Sequence, residues 1–315
     1  TLTDGYGHLA DRAILLYALL SAAGLQPEFV LASELPPVPQ ITSVAKAFPL
    51  PQSFRYPLVR VVVDGQAFYL NDTDQYSQLG TTPHATRLAL RLRDGSFMEI
   101  KAAKKCEEKG DSTYTLELAD NGQAHITIAQ QFYGGAYNQK KRYFSELPPE
   151  ERRRYFQEVV SSVTQGARPA GELVTDFVNY PGIEKFSVVV DNYAVVDGNY
   201  FYFDLPHEPS LFPTGADTRA LPLFISRGGK SAVRTEILLA PSFGRIVIAP
   251  SDKKVSAVGN LSAKVTTHEG NGKFLLTHEL SIAPVIVAPK DYPSLLNAES
   301  ALREKSSRAF LLQKN

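Results

Sequence analysis

An apolar run at helical spacing has to find cover, and residues 13–20 make such a run: Ala-Ile-Leu-Leu-Tyr-Ala-Leu-Leu. Wound as a helix, it puts Ala13, Leu16 and Leu20 on one face, while Ile14, Leu15, Ala18 and Leu19 cover most of the rest. A helix with so little polar surface is expected in the interior, as the central core helix of its domain. Gly5 and Gly7 feed it as a loop, and Gly24 follows its last periodic residue, where a left-handed cap carries no Cβ penalty.

The start of that helix is where chemistry would be expected. A helix N-terminus collects unpaired backbone N–H groups and positive dipole character, which favours a thiolate. Gly7, Asp11 and Ala13 fit a G-x-C-x-D-x-A run, and the Leu-Leu, Ala-Leu-Leu and Ala-Ala-Gly that follow fit its helix. On these residues the stretch resembles the nucleophile segment of the transglutaminase-like superfamily, whose fold is papain-like. The cysteine of that pattern falls on Leu9.

Further on, residues 56–63 and 67–70 are apolar, rich in β-branched and aromatic side chains, and flank Asp64-Gly65, a strong hairpin signal. In the superfamily the first strand of this hairpin carries the catalytic His and the second ends on the Asp that orients it. That pattern aligns without gaps, placing the His on Tyr56 and the Asp on Asn71 in Tyr69-Leu70-Asn71-Asp72-Thr73. The segment over residues 72–82 is similar to the family too. A slip of one residue to recruit Asp72 would turn its side chain to the opposite face of the strand.

Acyl transfer by a cysteine needs a thiolate, a base and a group that fixes the base's tautomer. Leu9 is no nucleophile; a phenol, with a reference pKa of ~10, is a poor base at neutral pH; and Asn71 brings no charge to an imidazolium. The positions that match the triad are therefore Leu9, Tyr56 and Asn71, and the expected cleft is lined by His8, Leu9, Tyr56, Asn71 and Asp72. His8 reads first as a cap or surface residue. His84 lies outside the matched positions. The Gly5-x-Gly7 pair is too short for a dinucleotide fingerprint and follows no predicted strand.

Composition narrows the function classes. The 315 residues hold 33 basic and 33 acidic side chains, which argues against a general nucleic-acid binder, since such a protein needs a concentrated basic face. No apolar run is long enough to cross a bilayer. One cysteine, Cys106, sits in the charged run over residues 104–109, so no internal disulfide forms; no Cys/His cluster has zinc spacing, and no cofactor is expected. Cys106 reads as part of a solvated linker. Thr1-Leu2-Thr3-Asp4 holds neither an initiator methionine nor a signal peptide. Given the resemblance, which implies helices before the nucleophile segment, the chain reads as an N-terminally truncated piece.

The remaining pattern divides the chain. A strand is expected over residues 27–32, a proline-punctuated loop over 35–51, and strands over 85–92 and 97–100. The charged stretch over 101–110 marks a boundary, giving a core over residues 1–103 and a second domain over 104–315. The second domain opens with a hairpin around Asn121-Gly122 and continues into a helical insert at about 136–165. Strands follow at 172–177, 186–195, 200–204, 234–239 and 245–249, then a long hairpin joining 255–267 to 273–282. A helix over about 291–305 and a strand over 308–312 end the chain. Many short strands with Gly/Pro turns suggest an antiparallel sandwich. Alternation puts Tyr200 and Tyr202 on one face and Phe201 and Phe203 on the other, which packing explains without a sugar ligand. On residues 239–250 and 289–293 this half resembles the β-rich domain of unknown function that follows transglutaminase-like cores in exported proteins of Bacteroidetes and related bacteria.

The fold expected is thus α+β: a partial transglutaminase-like core with a central helix on an antiparallel sheet, then a β-sandwich-like domain with a helical insert. The function expected is that of a pseudoenzyme, a binding or scaffolding module at the bacterial cell envelope with an unidentified protein or polysaccharide partner. The resemblance implies a periplasmic or extracellular location. The alternatives are an active cysteine protease or protein cross-linker of the same superfamily, and a carbohydrate-binding protein.

Overall fold

In the computed structural model, which describes residues 7–71, 74–207, 214–226, 228–270 and 272–315, a capping box opens the first helix. The His8 Nδ1 accepts from the Ala10 N–H at 3.3 Å, and the Asp11 carboxylate accepts from the His8 N–H at 3.1 Å. Helix α1 (Leu9–Ala22) ends before Gly24, which sits at φ +81°. The expected burial is corrected: in α1 only Ala13 is buried, and Ile14 and Leu19 are 60% and 56% exposed. The reason is one-sided packing. The extensive contacts of α1 are with β1 (Glu28–Ser33) and β2 (Phe54–Val63), and Tyr17 stacks on Phe29 with centroids 4.5 Å apart.

The stretch expected to be a loop contains helix α2 (Pro39–Ala47). Pro39 stands at its first position, where a missing N–H is no loss. Strand β2 turns through Asp64 (φ +50°) and Gly65 (φ +76°) into β3 (Gln66–Leu70), as a two-residue turn with both central residues left-handed requires. With β4 (Leu88–Arg91) and β5 (Phe97–Glu99), these make a five-stranded antiparallel sheet in the order β3-β2-β1-β4-β5. Val30, Ala32, Leu58, Tyr69, Ala89 and Ile100 form its core.

Cys106 corrects another expectation. It is 1% exposed, not solvated, and its Sγ lies 3.5 Å from the Leu79 carbonyl. Gly80 (φ +99°) permits this close approach, since a Cβ there would stand 2.8 Å from the Ala103 Cβ and 3.3 Å from the Cys106 Sγ.

Beyond this point come β6 (Lys109–Leu118), β7 (Ala124–Phe132), α3 (Gly134–Glu146), α4 (Pro149–Val163), β8 (Arg168–Pro169), β9 (Val174–Asp176) and β10 (Gly182–Val190). They are followed by β11 (Val195–Asp197), β12 (Tyr200–Asp204), β13 (Leu223–Ile225), β14 (Gly229–Leu238) and β15 (Phe243–Ile248). The last elements are β16 (Lys253–Ala257), β17 (Leu261–Gly270), β18 (Lys273–Ile282), β19 (Val285–Val287), α5 (Tyr292–Arg303) and β20 (Ala309–Lys314). Two expected strands are split. Asn192 (φ +54°) breaks 186–195 into β10 and β11, and Gly259 (φ +74°) breaks 255–267 into β16 and β17.

The large sheet runs β16-β17-β18-β14-β6-β7-β10-β8, with β9 also on β10. It is not wholly antiparallel, because β14 lies parallel to β6. No hairpin joins those two strands, so no tight turn forces them to oppose. A four-stranded sheet runs β11-β12-β20-β15. One core joins the two sheets: Leu116, Ile126, Phe274 and Leu276 meet Phe201, Phe203, Phe310 and Leu312. Phe203 stacks on Phe310 at 5.2 Å, while Tyr200 and Tyr202 face outward. Among the described residues the chain is therefore a β-rich α+β protein with five α-helices.

A buried carboxylate fixes the two insert helices to the large sheet. Glu184 of β10, 1% exposed, accepts from the Lys140 Nζ of α3 at 3.0 Å and from the Tyr155 hydroxyl of α4 at 2.8 Å. Burial and the neighbouring Glu184 raise the Tyr155 phenol, which keeps its proton as a donor. Replacing Glu184 with Ala should cost about 3 kcal/mol, at the low end for a buried pair because Lys140 keeps partial contact with water. The triple variant Glu184→Leu/Lys140→Met/Tyr155→Phe, which leaves no polar member of the cluster without its partner, should recover most of that loss in chemical denaturation.

Candidate functional site

Strand β3 ends at Leu70, paired with Val59 of β2, so the next residue stands beside the first half of β2. Asn71 there adopts φ +104°, a left-handed backbone that Asn tolerates better than most residues. Its carboxamide Nδ2 donates to the Pro57 carbonyl at 2.7 Å and to the Leu9 carbonyl at 3.0 Å. The side chain thus clamps the first turn of α1 to β2. A carboxylate in the same place would set an oxygen with no proton against both carbonyl oxygens.

Above this clamp opens a cavity of about 350 Å³, with Leu9, Tyr56, Tyr69 and Asn71 in its wall. The three positions matched to the triad, Leu9, Tyr56 and Asn71, therefore line one cavity. His8 does not line it and serves as the helix cap. Asp72 lies outside the described residues. Cys106 is packed elsewhere, and burial raises its thiol above the ordinary range.

Sequence reasoning missed one wall. The loop after β3 brings Thr82, His84 and Arg87 to the same cavity. His84 lies outside the positions matched to the triad, yet its ring lies 4.8 Å from that of Tyr56. The His84 N–H donates to the Thr82 Oγ1 at 3.3 Å, and the Arg87 Nη1 donates to the Ser33 and Glu34 carbonyls, each at 3.2 Å. No periodicity in the sequence marks this loop. Pairing of β1 with β4, Ala32 opposite Ala89, is what folds it over the open end of β2.

Beside the cavity, Glu28 bridges two arginines. Its carboxylate accepts from the Arg91 Nε and Nη2 at 3.1 Å and 2.9 Å, and it also pairs with Arg60. Burial alone would raise Glu28, but the bonds from Arg91 and Arg60 outweigh it and hold the carboxyl below its ordinary value. Burial also raises Tyr69, against the opposing pull of Arg60.

Chemically, the cavity offers an imidazole, two phenols, a guanidinium, a threonine hydroxyl and a carboxamide, and no thiol. Among the described residues no three His, Cys, Asp or Glu side chains stand together to hold a metal ion, and no helix is long and apolar enough to cross a membrane.

No protein-family model matches the chain, and a search of curated proteins returns no match. One solved structure it is similar to is described as a "putative protease" from Parabacteroides distasonis, at 13% identity and a TM-score of 0.45. The alignment covers 99% of this chain and 45% of that one, so this chain spans less than half of that protein. Similarity at this level assigns neither fold nor chemistry.

Two outcomes follow from the geometry. Asn71→Gly, which suits the left-handed backbone but removes both side-chain bonds, should lower stability by about 1–2 kcal/mol. Asn71→Asp should cost more at neutral pH, and its deficit should shrink in acid as a protonated carboxyl regains one donor. For Glu28, whose folded pKa is depressed, the stabilisation is present above the unfolded value of ~4.3 and is lost as pH falls through the folded one. Glu28→Gln should therefore flatten the fall in urea midpoint expected of the native chain below about pH 4.

Proposed function

We propose that this chain is a non-catalytic transglutaminase-like module that acts by binding or scaffolding at the bacterial cell envelope, outside the cytoplasm. In this reading residues 1–103 form a papain-like core and residues 104–315 a β-sandwich-like partner domain. The observation that carries it is the use of Asn71. At the position matched to the orienting acid, the carboxamide Nδ2 is given over to two backbone carbonyls, while Leu9 stands where a nucleophile is required. The cavity remains open and mixed in character: Tyr56 is 36% exposed and offers a ring for stacking, beside the polar groups of His84 and Arg87. Such a site suits a peptide or a glycan held without turnover.

A second reading, an active cysteine protease or cross-linker, gains from His84, which supplies an imidazole the sequence match lacked. It still needs a sulfur, and Cys106 is enclosed against Leu79 and Gly80. The two readings separate experimentally. The native chain on a peptide and glycan array should retain ligands that the Tyr56→Ala variant binds roughly tenfold more weakly, as expected for loss of one stacked aromatic. The retained ligands should be recovered intact. Cleavage or cross-linking of a retained peptide, abolished by rapid iodoacetamide labelling of Cys106 at neutral pH, would replace the binding reading with the enzymatic one.

A further inference from the structure

The outward face of the large sheet carries a second concavity, of about 340 Å³, on the side away from the shared core. The strand register builds it. Lys109 of β6 is the partner of Lys230 of β14, which is the partner of Ser281 of β18, itself opposite Ser262 of β17. Two residues along each strand, on the same face, a second row runs from Asp111 through Ala232, Glu279 and Lys264 to Lys254 of β16. The hollow thus has small and hydroxyl side chains and the carboxylates of Asp111 and Glu279 between lysine pairs at two opposite corners.

Like charges on directly opposed strands weaken a sheet, and this face has two such pairs, Lys109–Lys230 and Lys254–Lys264. Lys109 is partly offset by Asp111, with Nζ to Oδ2 at 3.4 Å. Among the described residues, Lys230, Lys254 and Lys264 make no ion pair with a carboxylate within 4.0 Å. Lys264 faces Glu279 across the β17–β18 pair and lies in the field of Asp252, but the four lysines of the lining outnumber its two carboxylates, Asp111 and Glu279, which leaves a surplus of positive charge that complements an anion.

We propose that this hollow binds a carboxylated polysaccharide. Charge density selects the class. The corners β14 and β17 are two strand spacings apart, about 10 Å, which matches a polymer bearing well-separated carboxylates. Duplex nucleic acid carries a charge every ~1.7 Å, far denser than two separated lysine pairs, and the chain as a whole has no net charge to attract it. A flat anionic membrane does not follow a concave surface. Between the corners, Ser262 and Ser281 present hydroxyls that both donate and accept, as sugar hydroxyls require. This site is separate from the cavity at α1 and does not depend on the function proposed for it.

The test is calorimetric titration of the full chain with oligogalacturonate, with neutral maltooligosaccharide and mixed-sequence duplex DNA as the comparison ligands. Oligogalacturonate should bind with an affinity that falls as salt rises, and the maltooligosaccharide should not bind. Lys230→Ser/Lys264→Ser should weaken binding roughly tenfold, the loss expected for two exposed charge contacts. Both lysines are exposed and each belongs to a like-charge pair, so the unfolding midpoint should be unchanged or slightly raised, and Tyr56→Ala should bind as the native chain does. Absence of oligogalacturonate binding, equal binding of the neutral sugar, tighter binding of DNA, or full affinity in the double-lysine variant would each overturn the proposal.

Discussion

A carboxamide pins the first turn of α1 to the sheet on which Tyr17 also packs through Phe29. The Asn71 Nδ2 reaches the Leu9 carbonyl on one side and the Pro57 carbonyl on the other, and the cavity at the head of α1 exists because these two elements are held at that separation. The left-handed backbone at Asn71 makes the reach possible. Sequence alignment alone would read Asn71 as an acid that lost its charge. In the folded chain it is a donor with two acceptors, which an aspartate of the same shape could not satisfy.

The same economy of buried polar groups recurs elsewhere. Glu28 is held by Arg60 and Arg91 across three strands, and Glu184 by Lys140 and Tyr155 from two helices. The partly buried Glu28 and the buried Glu184 are each met by donors from different elements, so desolvation is offset only when the tertiary arrangement is complete. These groups serve as fasteners. The outward face of the large sheet differs, because there the lysines of opposed strands stand together without full compensation.

The large region is organised by apolar alternation. Phe201, Phe203, Phe310 and Leu312 point into the core from the smaller sheet, and Leu116, Ile126, Phe274 and Leu276 from the larger. The exposed tyrosines between the phenylalanines of β12 follow from the same period of two. The insert helices lie beside this core, with Val160 inside it and Glu184 beneath them.

Local chemistry was legible in the sequence because it acts over a few residues. Asp64-Gly65 and Asn121-Gly122 fixed their hairpins, Gly24 marked the end of α1, and alternation sorted Phe201 and Phe203 from Tyr200 and Tyr202. Pro39 opens α2 where the sequence suggests a loop, because a proline at a helix start and a proline in a loop look alike in one dimension. What covers α1, whether Cys106 is wet or sealed, and that β14 runs parallel to β6 are decided by contacts between residues far apart in the chain. His84 belongs with these: its place beside Tyr56 comes from the pairing of β1 with β4, and no spacing along the chain encodes a distance across a sheet. The sequence by itself determined the pattern of turns, strands and buried faces, since sterics and periodicity are local; only the tertiary structure decided which side chains share a cavity, since that depends on how sheets and loops close in space.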